Sequence, residues 1–166
     1  MAEATVTELT RQERFDYRVM RRFPRLGVRG NRAVHRVSGG RIGGSKRGVP
    51  IGLLTTVGRR SGKARTVPLM YMQDGDRFLV VASNAGLAAP PAWYLNLQAK
   101  AEATFRPRKE ALPVRGRELS ESEQRDVWER MTRHNPLWAA FQECTDRRTA
   151  VVALEPVPDG ALDEAP

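Results

Sequence analysis

The stretch Ile51-Gly-Leu-Leu-Thr-Thr-Val-Gly-Arg-Arg-Ser-Gly-Lys-Ala-Arg-Thr-Val-Pro-Leu-Met-Tyr-Met72 decides the reading of this 166-residue chain. Two apolar runs, 53–57 and 67–72, flank a tip that holds Gly58, Gly62 and the cations Arg59, Arg60, Lys63 and Arg65. Thr55, Thr56 and Val57 are β-branched, which favours an extended chain. The second run alternates, with Val67, Leu69 and Tyr71 on one face and Pro68, Met70 and Met72 on the other. This is the pattern of a β-hairpin whose tip glycines allow backbone angles that other residues resist. Like charges so close together repel, which points to an anion among them.

Two plainer interpretations compete. A short charge run is usually a solvated turn. Gly58-x-x-x-Gly62-Lys63 also looks like a phosphate-binding P-loop, but its spacing is one residue short. Ala64 stands where Ser or Thr would hold magnesium, and a strand follows instead of a helix. An anion site built on a hairpin remains.

Outward from the hairpin, Asp74-Gly75-Asp76 marks a turn before a strand at 77–82. Residues 84–91 form a loop of small residues and prolines, and Pro91 opens a short helix at 92–99 carrying Trp93, Tyr94, Leu95 and Leu97. Strands are expected at 101–106 and 111–118, with Pro113 demoting the second to an edge or bulged strand. Ser120-Glu-Ser-Glu123 is a capping box that starts a helix to about Arg133, a second helix runs 136–143, and a last strand covers 149–154. The order β-β-β-α-β-β-α-α-β describes an α+β domain with an antiparallel, barrel-like sheet.

Upstream, Thr5 or Thr7 would cap a helix running to about Phe23, with an apolar stripe of Phe15, Val19 and Phe23 edged by arginines. Such a helix suits an acidic membrane surface or packing on the barrel. Residues 29–50 read as an irregular, Gly- and Arg-rich connector. The expected organisation is therefore a basic segment over 1–50, the barrel domain over 51–156, and an acidic, frayed tail over 157–166.

Bulk properties narrow the function classes. The length suits one domain with its own core. A single cysteine, Cys144, excludes an intrachain disulfide, and two separated histidines, His35 and His134, argue against a metal site. No apolar run approaches the ~20 residues of a transmembrane helix, and no signal peptide is visible, so the expected compartment is cytoplasmic. The net charge of +9 is uneven, with 12 Lys/Arg against 4 Asp/Glu in residues 1–50 and 16 against 15 in the rest. Basic residues this poor in aromatic neighbours do not suit nucleic acid.

Three motifs in order, Leu54-Thr-Thr-Val-Gly-Arg-Arg-Ser-Gly-Lys-Ala-Arg-Thr-Val-Pro-Leu69, Val81-Ala-Ser-Asn84 and Pro91-Ala-Trp-Tyr-Leu-Asn-Leu97, resemble the deazaflavin-dependent nitroreductase family. The similarity runs from about residue 42 to 156. It implies a split β-barrel of the flavin-reductase type and the use of coenzyme F420. It also implies hydride transfer from the reduced deazaflavin to an organic acceptor.

The coenzyme's phosphate and oligoglutamate tail are anionic, which fits the cationic tip. By the resemblance, Arg59, Arg60 and Arg65 match phosphate-binding positions, with Lys63 nearby. Pro68 matches a residue lining the ring, Ser83 and Asn84 the loop beside ring or tail, and Ala92 and Trp93 further ring contacts. Met70 stands where nitroimidazole-reducing members carry tyrosine, and Asn135, Trp138 and Phe141 replace tyrosines of some relatives. Asn84-Ala85 replaces a Lys-Gly or Asn-Gly found in relatives.

No nucleophile–base pair is visible, and hydride transfer requires none, so no catalytic residue is assigned. Met70, Trp93, Trp138 and Phe141 are expected to line a slot for a planar, quinone-like acceptor. Residues 1–26 are expected to meet an anionic membrane surface. The alternatives are a flavin mononucleotide (FMN) enzyme on the same barrel and a non-enzymatic cofactor- or anion-binding module.

Overall fold

The computed structural model describes residues 45, 46 and 48–158. The expected helix from Thr5 or Thr7 to about Phe23, most of the 29–50 connector and most of the tail lie outside the described residues. The strands are β1 (Ser45–Lys46), β2 (Val49–Val57), β3 (Ala64–Asp74), β4 (Arg77–Val81), β5 (Glu102–Arg106), β6 (Leu112–Glu118) and β7 (Val151–Pro156). The helices are α1 (Ala92–Ala99), α2 (Glu121–His134) and α3 (Leu137–Glu143). Strand order is β1-β2-β3-β4-β7-β6-β5, and pairing of β2 with β5 closes the barrel from β2 to β7. All pairings are antiparallel. This is the split-barrel α+β fold expected from the sequence.

The alternation of the 67–72 run reappears as the two faces of the barrel wall. Val67, Leu69 and Tyr71 face inward with Leu54, Phe78, Phe105, Val114 and Leu154. Tyr71, Phe78 and Phe105 meet ring to ring, with centroids 5.1–5.5 Å apart. Met70 and Met72 face outward, where Leu79, Val81, Val151 and Ala153 form a second apolar layer under α2 and α3. Val127, Met131 and Trp138 close that layer from the helix side. The wall is therefore covered on both faces here, which explains the continuous apolar runs of β4 and β7.

Two local expectations change. Pro113 is not on an edge, because β6 pairs with both β5 and β7. Its carbonyl accepts from the Val157 N–H at 3.0 Å, so the missing donor faces residue 157, one past the end of β7, and forfeits only the reciprocal bond there. Regular pairing also begins earlier than the expected boundary at 51: Ser45 and Lys46 pair with Pro50 and Val49. The capping box is present as expected, with Ser120 Oγ accepting from the Glu123 N–H and the Glu123 carboxylate from the Ser120 N–H. Among the described residues, no helix is long and apolar enough to cross a membrane.

Candidate functional site

The β2–β3 tip is a tight turn held by its own backbone. Gly58 N–H donates to the Lys63 carbonyl at 2.9 Å, and the N–H groups of Ser61 and Gly62 return to the Gly58 carbonyl at 3.0 and 2.8 Å. Gly62 has φ +64°, a region that L side chains resist, and a Cβ on Gly58 would lie 3.0 Å from Ser61 Oγ and 3.1 Å from the Lys63 carbonyl. The turn throws Arg59, Arg60 and Arg65 out as exposed side chains. Among the described residues, no carboxylate forms an ion pair with any of them.

Opposite the tip stands the first turn of α1. Pro91 caps it without a side-chain bond, and its carbonyl takes the N–H groups of Tyr94 and Leu95 at 3.2 and 3.3 Å. The N–H groups of Ala92 and Trp93 are thus the open donors of the helix. Between tip and helix lies an open groove of about 380 Å³ lined by Gly58, Arg59, Arg60, Ser61, Arg65, Thr66, Val67, Ala92, Trp93 and Asn96. It exists because β4 pairs only with residues 71–74 of β3, leaving residues 64–70 with β2 as their single strand neighbour. Pro68 lies in that half, where a missing donor is tolerated.

Asn96 joins the two walls. Its Oδ1 accepts from the Arg59 N–H at 3.1 Å, and its Nδ2 donates to Thr56 Oγ1 at 3.0 Å. Both Asn96 and Thr56 are buried, at 4% and 2% exposure. The amide therefore fixes the distance between the arginine tip and the helix N-terminus. Neither Asn96 nor Thr56 was singled out from sequence. The available signal was a polar amide inside the otherwise apolar Trp-Tyr-Leu-Asn-Leu helix, which burial obliges to find partners.

Of the residues expected at the site, the fold brings Arg59, Arg60, Arg65, Ala92 and Trp93 together on this groove. Lys63 is exposed at the end of the turn, just before β3, where its N–H donates to Ser61 Oγ at 3.4 Å. Pro68 and Met70 are half-buried on the outward face of β3. Ser83 and Asn84 lie on the loop after β4, beyond the groove lining. Ser83 is buried, and Asn84 Nδ2 donates across the loop to the Ala89 carbonyl at 2.8 Å.

Trp138 and Phe141, expected to line the acceptor slot, sit deep in the packing of α3. At 2% and 1% exposure, they are core residues that seat α3 on the barrel and on the 84–86 turn. Met70 is the member of this group with exposed surface, and its sulfur accepts from Asn135 Nδ2 at 3.4 Å.

The titration behaviour of the surroundings is structural. Burial pushes the Tyr94 phenol up to about 12, helped by its 2.6 Å hydrogen bond to the Glu118 carboxylate, so it is neutral across ordinary pH. Burial also raises Tyr71 against a smaller opposing effect of Arg108. Tyr71 donates to the Pro107 carbonyl at 3.4 Å and is no part of the groove.

The groove pairs three guanidinium groups and two open helix N–H donors with the apolar wall of Val67 and Trp93. That combination suits a flat molecule carrying an anionic tail. The family model described as F420H(2)-dependent quinone reductase matches residues 27–156. The chain is 32% identical over 126 residues to the F420H(2)-dependent quinone reductase Rv1261c of Mycobacterium tuberculosis, covering 74% of this chain and 85% of that one. Among solved structures it resembles an F420-H2 dependent reductase, FDR-A, with TM-score 0.59, 36% identity and coverage of 64% of this chain and 94% of that one. It also resembles a domain-swapped dimer with TM-score 0.60, 32% identity and coverage of 75% and 95%. By the extent of the family match and the identity to these relatives, the chain belongs to the F420H2-dependent quinone reductase family.

Proposed function

We propose that the groove between the β2–β3 tip and α1 holds reduced coenzyme F420, and that the protein passes its hydride to a planar, quinone-like acceptor. Membership of the family supports the oxidoreductase class and the deazaflavin donor. The observation that carries the placement is the meeting of Arg59, Arg60 and Arg65 with the uncapped first turn of α1. Guanidinium forks match phosphate oxygens, and helix N–H groups add directed donors of the same preference.

When bound, the reduced deazaflavin supplies the hydride. The chain's own contribution is binding and orientation. Arg60 and Arg65 would grip the phosphate, Asn96 would keep the tip at a set distance from α1, and Val67 and Trp93 would exclude water from one side of the ring. Lys63, standing off the groove, suits a peripheral contact with the anionic tail. Pro68, Ser83 and Asn84 remain proposed neighbours of ring or tail from their motifs. For the acceptor, Met70 shares the half-buried outward face of β3 with Pro68, and it carries no charge, which favours flat neutral molecules. Nitroimidazoles should be poor acceptors, since Met70 offers neither a phenol nor a stacking ring.

The basic stretch over residues 1–26 would bring the enzyme to an anionic membrane surface, where poorly soluble quinones partition. Each Lys or Arg near such a surface contributes about 1 kcal/mol. Loss of vesicle binding on deleting 1–26, with cofactor binding kept, is the expected outcome; unfolding of the truncated protein would assign that segment to the core instead.

Fluorescence titration with the deazaflavin and, separately, with FMN tests the cofactor. Arg60→Ala with Arg65→Ala should weaken deazaflavin affinity at least tenfold, two charged hydrogen bonds being about 3–6 kcal/mol at full strength. Melting should hardly move, because exposed charges add little stability. Unchanged affinity in the folded double variant, or preference for FMN, refutes the placement.

A further inference from the structure

We propose that Arg147 is a positioning residue for the groove: its guanidinium clamps the loop after β4 and thereby sets the entry angle of α1. The inference rests on the groove being the deazaflavin site. Arg147 Nη2 donates to the carbonyls of Ala82 at 3.0 Å and Ser83 at 3.4 Å, and Nε donates to the Ala88 carbonyl at 3.3 Å. Nη1 donates to the Arg148 carbonyl at 3.3 Å. One cation thus spans both ends of the loop, and among the described residues no carboxylate pairs with it.

The clamp is itself held. The Arg147 carbonyl accepts from Gln142 Nε2 of α3 at 3.0 Å, and the Arg147 N–H donates to Thr145 Oγ1 at 3.2 Å. Gln142 Oε1 takes the Thr149 N–H at 2.7 Å, which ties the same unit to the approach to β7.

What the clamp holds is a conformation the loop would not keep unaided. Asn84, Ala85 and Gly86 have φ of 49°, 55° and 75°, so three successive residues lie in the left-handed region. Ala85 has no polar side chain to compensate, and such residues persist where their surroundings over-determine them. The Asn84 bond to the Ala89 carbonyl closes the loop from inside, and Arg147 closes it from outside. After Ala88 and Ala89, two stiff residues, Pro90 and Pro91, lead directly into Ala92 and Trp93 on the groove. Displacement at Ala88 is therefore transmitted to the helix N-terminus with little slack.

The test uses the full chain with Arg147→Ala and Arg147→Lys. Lysine keeps the charge but its single head cannot bridge carbonyls at both loop ends. Both variants should raise the dissociation constant for the deazaflavin about tenfold, because a loosened loop must be ordered again when the ligand binds. The turnover rate at saturating cofactor should change little. Hydrogen exchange should speed up over residues 83–95 and stay unchanged over α2. Adding Ala85→Gly, which removes the left-handed penalty, should recover part of the affinity in the Arg147→Lys background. A role in bulk stability alone would give no such recovery. Unchanged exchange at 83–95, or raised exchange with unchanged affinity, overturns the proposal. A wild-type chain that binds no deazaflavin overturns the groove reading instead, and the exchange pattern then decides the clamp.

Discussion

Replacing Asn96 with alanine is the most direct trial of the groove's architecture, because one side chain carries both cross-links. The variant strands Thr56 Oγ1, which is 2% exposed, and the Arg59 N–H, which is only part-buried. A buried hydroxyl left without its partner costs about 1–2 kcal/mol, whereas the Arg59 N–H can recover water and should cost about 0.5–1. The expected loss is about 1.5–3 kcal/mol, which for a domain of this size lowers the melting temperature by about 3–12 °C.

Asn96→Asp separates stability from binding. Its carboxylate can still accept from Arg59 N–H, and Thr56 can turn to donate to it, so melting should fall less than in the alanine variant. A negative charge would now face the proposed phosphate site, so deazaflavin affinity should fall at least as far as in Asn96→Ala. Thermal melts and fluorescence titration, run in parallel on both variants, are the assay. An alanine variant melting within about 2 °C of wild type and binding normally would refute the view that Asn96 joins tip and helix. An aspartate variant that binds as tightly as wild type would refute the view that the groove is an anion site.

Trp138→Ala should destabilise by about 3–5 kcal/mol, because the ring is core at 2% exposure, and a denaturant midpoint decides it. A stable variant with altered acceptor preference would place Trp138 in the substrate slot rather than in the core alone. Ser120→Ala should cost about 1 kcal/mol by removing the cap of α2, read as a small drop in melting temperature. Hydrogen bonding to Arg117, then to the Ser120 N–H and hydroxyl, holds the Glu123 carboxyl down at about 2 from an ordinary 4.5. A depressed acid contributes stability that is complete above its unfolded value and is lost as pH falls between the two. Glu123→Gln should therefore flatten the fall in stability between pH 4.5 and 2, and an unaltered acid limb would exclude this pair as its source.

Much of the fold was legible locally. The β2–β3 hairpin, the Gly75-Asp76 turn and the α1 segment follow from residue types within a few positions of one another, as does the capping box. Alternation in 67–72 also sorted Val67, Leu69 and Tyr71 from Met70 and Met72 before any partner was known, since successive side chains on a strand point to opposite faces. The arginine tip was equally visible, because charge crowding is a property of the chain itself.

Tertiary structure decided what each face meets. Closure of β2 on β5 joins Leu54 to Phe105 across a long stretch of chain, and no local pattern encodes that pairing. Burial of Trp138 and Phe141 depended on α3 being drawn over the barrel wall, whereas the same aromatics on an uncovered helix would have lined a surface. Asn96 and Arg147 act through bonds to Arg59, Thr56, Ala82 and Ala88, partners that become neighbours only once the barrel closes. The physical reason is that propensity, turn chemistry and periodicity act over one or two turns of chain. Hydrogen-bond partnership and burial are set by whichever distant segment fills the space, and that is a property of the packed whole.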